Sequence, residues 1–180
     1  NRALPVTPLK AFVLPFKQNV VNSTKNHNKI IITGVPACDL AGLNVLDGIY
    51  LDERYPDPWY KLNRDNILIV GTDCYQIAEN CHCTSYGLDP YPKSNADIIL
   101  SDIDGKLLLE AITDRGLDIF SRIREKFLTF QVSDGIIDLV AKRRKETATK
   151  LRERNGELPA FSETATLIDE SSDEIWEKYS

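Results

Sequence analysis

The apolar positions of the chain come first in short, β-branched runs and later at helical spacings. Lys29-Ile30-Ile31-Ile32-Thr33-Gly34-Val35, ended by Gly34 and Pro36, reads as a buried strand. Residues 39–46 carry Leu40, Leu43 and Leu46 at spacings of three, which predicts a short helix. A second strand is expected over Asn66-Ile67-Leu68-Ile69-Val70-Gly71, leading into Thr72-Asp73-Cys74. Strand, helix and strand in that order predict a βαβ unit with parallel strands. The Pro-rich stretch Tyr55-Pro56-Asp57-Pro58-Trp59-Tyr60 makes part of its crossover a loop. Residues 97–103 and 106–112 flank Asp104-Gly105, the commonest two-residue hairpin turn.

Beyond the hairpin the pattern turns helical. Asp114 is placed to cap a helix running from Arg115 to Lys126. Ser133 or Asp134 is placed to cap another that continues through Lys142-Arg143-Arg144-Lys145-Glu146 to Asn155 and Gly156. The second half of that helix is polar on most faces, which reads as a solvated helix or connector. Residues 159–170 read as loop, and Ser171 with Glu174 forms a capping-box pattern for a last helix that shows Trp176 and Tyr179 on one side. The expected fold is therefore α/β, a mixed sheet with a β-hairpin followed by C-terminal helices. It divides into an α/β domain over 1–130 and a helical extension over 131–180.

Composition adds bounds rather than a function. The 180 residues include 42% hydrophobic and 27% charged, enough to bury a core and stay soluble. A net charge of -5 argues against a nucleic-acid partner or an anionic membrane surface. No apolar run approaches the roughly 20 residues that span a bilayer, and the first residues lack a signal-peptide pattern, so the expected compartment is the cytoplasm. The start at Asn1 and the lack of any methionine point to a piece of a longer protein.

The candidate chemistry lies in four cysteines. Cys38 follows the first strand and Cys74 the second, so parallel pairing would bring both thiols to the carboxyl edge of the sheet, where open α/β sheets place ligands. Cys81 and Cys83 lie in a loop that can fold back to the same edge, with 35, 6 and 1 residues separating the four. Four thiolates suit a tetrahedral zinc ion or an iron-sulfur cluster. Paired zinc knuckles are absent, and so is the Cys-x-x-Cys of a thioredoxin-like pair. Reducing conditions in the cytosol disfavour disulfides, and unrelated buried cysteines are the alternative. His82 stands between two candidate ligands, where its side chain is expected to point away from the metal as a surface or neighbouring group. His27 lies in a polar loop; with so few histidines, a hydrolase that relies on a His base has little support. Asp39 and Asp73 adjoin Cys38 and Cys74, as helix-capping or turn residues, or as ligands or hydrogen-bonding neighbours of a metal site. A small-molecule enzyme using the sheet edge as its pocket, with polar groups from Gly71-Thr72-Asp73 and Thr84-Ser85, is a third reading.

Gly34-Val35-Pro36-Ala37-Cys38-Asp39-Leu40-Ala41-Gly42-Leu43, Val45-Leu46-Asp47, Asp57-Pro58-Trp59-Tyr60, Arg64-Asp65-Asn66 and the block 74–87 together resemble the amino-terminal domain of 4Fe-4S dicluster electron-transfer subunits. That family includes the beta subunits of cytoplasmic nickel-iron hydrogenases, or sulfhydrogenases, and the A subunit of anaerobic sulfite reductase. The resemblance runs from about residue 8 to 112 and departs from the family pattern at Pro36 and Ala37, where Arg-Pro is usual, and at His82, where an aromatic residue is usual. The ferredoxin-like cysteine runs that follow in the family are absent from this chain. The resemblance implies an accessory domain of an iron-sulfur electron-transfer subunit, not itself catalytic, with Cys38, Cys74, Cys81 and Cys83 binding a cluster of the 4Fe-4S type. It also implies docking near a flavin-containing diaphorase-type subunit and the catalytic subunit of a redox complex. A zinc-stabilised subunit-interaction domain without a redox role is the alternative.

Overall fold

A computed structural model describes residues 7–14, 29–127, 129, 132–158 and 161–179. Its centre is a four-stranded sheet in the order β1 (Ile30–Val35), β2 (Ile67–Thr72), β3 (Ile98–Ile103) and β4 (Lys106–Ala111). β1, β2 and β3 are parallel, and β4 returns antiparallel from β3. The mixed α/β sheet and its hairpin are thus as the sequence pattern predicts. Both turn residues, Asp104 (φ 52) and Gly105 (φ 78), take positive φ, the conformation that matches the twist of a tight hairpin. Because three strands run the same way, the ends of β1, β2 and β3 all emerge at one edge of the sheet.

The crossover from β1 to β2 is more helical than the prolines imply. α2 covers Ala37–Tyr50, longer than the short helix expected, and α3 covers Pro58–Asp65. Pro58 occupies the first turn of α3, where a missing N–H costs nothing, and Asp57 caps it by accepting from Trp59 N and Tyr60 N, both at 2.8 Å. Asp57→Ala is expected to lower stability by about 1 kcal/mol, read by urea unfolding. A short α1 (Lys10–Val13), α2 and α3 bury Val13, Leu40, Leu43 and Tyr60 against Ile67, Ile69 and Ile99. The alternation of β2, with Ile67, Ile69 and Gly71 buried, sets this core face.

α4 spans Asp114–Lys126, with Thr113 rather than Asp114 as its cap: the Thr113 hydroxyl accepts from Gly116 N at 3.1 Å. α5 spans Asp134–Arg154 and is not simply a solvated connector, since Val140, Thr147, Ala148 and Leu151 are buried. The segment expected to be loop over 159–170 contains α6 (Phe161–Asp169). α7 spans Asp173–Tyr179, and the Ser171 hydroxyl donates back to Ile168 O at 2.7 Å instead of closing a capping box with Glu174. Trp176 is half exposed, while the Tyr179 side chain and the loop around His27 lie outside the described residues. No helix among the described residues is long and apolar enough to cross a membrane.

Candidate metal centre

The edge formed by the ends of the parallel strands carries the cysteines. Pro36 ends β1 and stands at the N-cap of α2, so Cys38 is the second residue of that helix. No side chain caps α2, and its orphan amides face sulfur instead. The Ala37 amide favours the Cys74 thiolate, and the Cys38 and Asp39 amides favour that of Cys38. Cys74 lies just past β2, its own N–H donating to Pro90 O at 2.8 Å. Cys81 N donates to Ala78 O at 3.1 Å, and Cys83 opens a short 3₁₀ turn, Cys83–Tyr86, whose first amides, Cys83 and Thr84, face the Cys83 sulfur.

The four thiols share one electrostatic neighbourhood. Burial pushes Cys74 up to about 12, helped by the charges of Cys38, Cys83 and Cys81. Burial also raises Cys83, with Cys38 and Cys81 adding to the effect, and Cys38 is raised by burial, by Asp39 and by Cys81. Positions 38, 74, 81 and 83 thus lie near enough for the charge of one to affect another. All four are free thiols. Deprotonating several of them together is unfavourable without a compensating cation, which is the condition a metal or an iron-sulfur core satisfies. Among the described residues, no three His, Cys, Asp or Glu side chains are close enough together to hold one metal ion. The donor chemistry thus fits a thiolate-bound group.

His82 is exposed, with Nδ1 2.7 Å from Asn80 O, and its ring packs on Tyr86 at 5.5 Å. Tyr86 in turn meets Phe161 of α6 at 5.1 Å, so the loop's outer face is aromatic. Asp39 does not cap α2; it sits in the first turn with its carboxyl raised by burial. Asp73 serves neither as cap nor as turn former. Its side chain is 1% exposed, and Oδ2 accepts from Tyr75 Oη (2.8 Å), Ser101 Oγ (2.7 Å) and Arg144 Nε (2.9 Å). Burial and the bond to Asp73 push the Tyr75 hydroxyl up to about 12. Thr72 Oγ1 donates to Leu100 O, and Gly71 is packed under Pro92, Ala96 and Leu40, so this stretch does not present polar groups to an edge pocket.

Sequence reasoning missed the groups that hold the cysteine loop. Arg144, Arg154 and Asn155 all come from α5 or its end, and all bond to the segment 73–84. The only signal for them is the run of basic residues on a helix too polar for a core.

No family model matches the chain, and no solved structure matches it. It is similar to the sulfhydrogenase 2 subunit beta of Pyrococcus furiosus, 31% identical over 134 residues that cover 67% of this chain and 39% of that protein. The chain thus spans well under half the length of that relative. The similarity supports a hydrogenase beta-subunit-like family.

Proposed function

We propose that the chain is the amino-terminal domain of an electron-transfer subunit of a hydrogenase- or sulfite-reductase-like oxidoreductase, and that Cys38, Cys74, Cys81 and Cys83 ligate an iron-sulfur cluster in it. The observation that carries this reading is four free thiols, each near enough to influence the others electrostatically, beside the carboxyl ends of the parallel strands. Similarity to a sulfhydrogenase beta subunit supports the redox class. When bound, such a cluster supplies the acceptance and release of single electrons.

The chain's own part is to bind, orient and tune. Amides of Ala37, Cys38 and Asp39 at the start of α2, and of Cys83 and Thr84 at the 3₁₀ turn, donate toward three of the sulfurs. Donors at a helix N-terminus favour negative charge, so they stabilise thiolates and the more reduced form of whatever the thiolates hold. Cys38 is exposed, and the other three are partly exposed. Such exposure supports a surface site, where a flavin-containing diaphorase-type subunit and a catalytic subunit would dock.

Anaerobic purification followed by iron and acid-labile sulfide analysis, with an electron paramagnetic resonance spectrum of the reduced protein, tests the reading. Iron and sulfide in matching amounts with a cluster signal are expected. Each of Cys38→Ser, Cys74→Ser, Cys81→Ser and Cys83→Ser is expected to lower iron content severalfold. Stoichiometric zinc in a colourless protein would overturn the redox role.

A further inference from the structure

We infer that α5 is a clasp for the cysteine loop, with Arg154 and Asn155 acting as positioning residues for Cys81 and Cys83. Arg154 Nη2 donates to Cys81 O at 2.6 Å and Nη1 to Ala78 O at 2.9 Å. Asn155 Nδ2 donates to the same Cys81 carbonyl at 3.1 Å and to Thr84 Oγ1 at 3.4 Å. One carbonyl between the two cysteines therefore takes two side-chain donors from one helix end. The loop has little structure of its own here: a four-residue 3₁₀ turn follows a stretch with no helix or strand.

The clasp continues along the helix. Arg143 Nη2 reaches Asp104 of the hairpin turn at 2.6 Å, Arg144 reaches Asp73 beside Cys74, and Arg152 Nη2 reaches Asp89 at 2.6 Å. From residue 143 to 155 a helix advances about 18 Å, enough to run across the strand ends from the hairpin to the cysteine loop. Buried Ala148 and Leu151 anchor the middle of that run. A loop that must present two thiols at fixed places cannot do so on weak local hydrogen bonds alone. The helix supplies the missing constraint, and preorganises the loop before any metal arrives.

The functional side of this inference rests on the proposed thiolate site; the structural side does not, and the experiment separates them. Amide hydrogen exchange is followed in the metal-free chain for Ser85, Gly87 and Leu88, whose N–H groups bond within the loop, and for β2 and β3 as reference. Arg154→Met combined with Asn155→Leu is expected to speed exchange at the loop amides about tenfold or more while leaving β2 and β3 unchanged. Arg154→Lys, which keeps a donor, is expected to restore part of the protection. Unchanged loop exchange would overturn the clasp, and so would an equal rise throughout β2 and β3, since the pair would then be holding the fold as a whole. In the anaerobically prepared chain the double variant is expected to surrender iron to a chelator severalfold faster than the unaltered chain, and equal rates would overturn the positioning role. If the unaltered chain holds no iron while the double variant still loosens the loop, the proposed function fails and the clasp stands.

Discussion

Asp73→Ala is expected to cost about 3–5 kcal/mol, the loss seen when one member of a buried ion pair is removed and the other is left behind. Asp73 collects three donors on one oxygen, from Tyr75, Ser101 and Arg144, and its side chain is 1% exposed. After truncation, Arg144 retains Glu110 at 3.6 Å, on a side chain that is 53% exposed, and the face of Tyr91 at 5.2 Å. Neither replaces a buried carboxylate. A double variant, Asp73→Leu with Arg144→Met, is expected to recover most of the loss, because apolar groups of similar shape remove both charges together. Urea unfolding of the three proteins checks this, and a loss under about 1 kcal/mol for Asp73→Ala would show that the pair is not holding the edge. Tyr75 adds a pH dependence of known sign. Its folded pKa of about 12 lies above the ordinary tyrosine value, so its contribution is complete below about pH 10 and disappears as pH rises through about 12. In Asp73→Ala the alkaline absorbance titration of Tyr75 is expected to move toward the ordinary range.

Gly116→Ala is the second large effect, and it acts where α4 passes the start of β3. A Cβ at Gly116 would lie 2.0 Å from Asp97 O and 2.9 Å from Asp97 C, both backbone atoms that cannot swing aside. That same carbonyl accepts Ile112 N at 2.9 Å, while the Asp97 carboxylate accepts Ile69 N at 2.9 Å and Thr113 Oγ1 at 2.7 Å. Making room for a methyl therefore lifts α4 away from the start of β3 and disturbs bonds to β2 and β4 together. A loss of about 3 kcal/mol is expected, at the upper end of overpacking effects. For a domain of this size it corresponds to a fall in Tm of roughly 6–12 °C. Gly135→Ala is the control: its Cβ would meet nothing within 4 Å, and the substitution is expected to be neutral or to stabilise α5 by up to about 1 kcal/mol. Equal thermal shifts in the two variants would refute the close-approach explanation.

The strands, the hairpin turn and the edge on which the cysteines gather were legible because each rests on a local rule. β-Branched runs ended by glycine or proline mark strands, Asp104-Gly105 marks a tight turn, and a helix between two strands brings Cys38 and Cys74 to the same edge. The errors are equally local in origin. Tyr55-Pro56-Asp57-Pro58 looks like loop because proline breaks helices, yet Pro58 starts α3, where Asp57 caps it. The 161–169 segment is short, follows Pro159 and carries Ser162, Thr164 and Thr166, so a helix whose Phe161 packs on Tyr86 escaped notice.

What the sequence by itself determined is the edge to which Cys38 and Cys74 belong, since strand order and chain direction fix where the ends of β1 and β2 emerge. Only the tertiary structure decided how that edge is held. The donors to Cys81 come from residues 154 and 155, more than 70 positions away, and the partner of Asp73 lies 71 positions away. Arginines on a polar helix carry no mark of their targets, because a long side chain reaches whatever acceptor packing brings beside it.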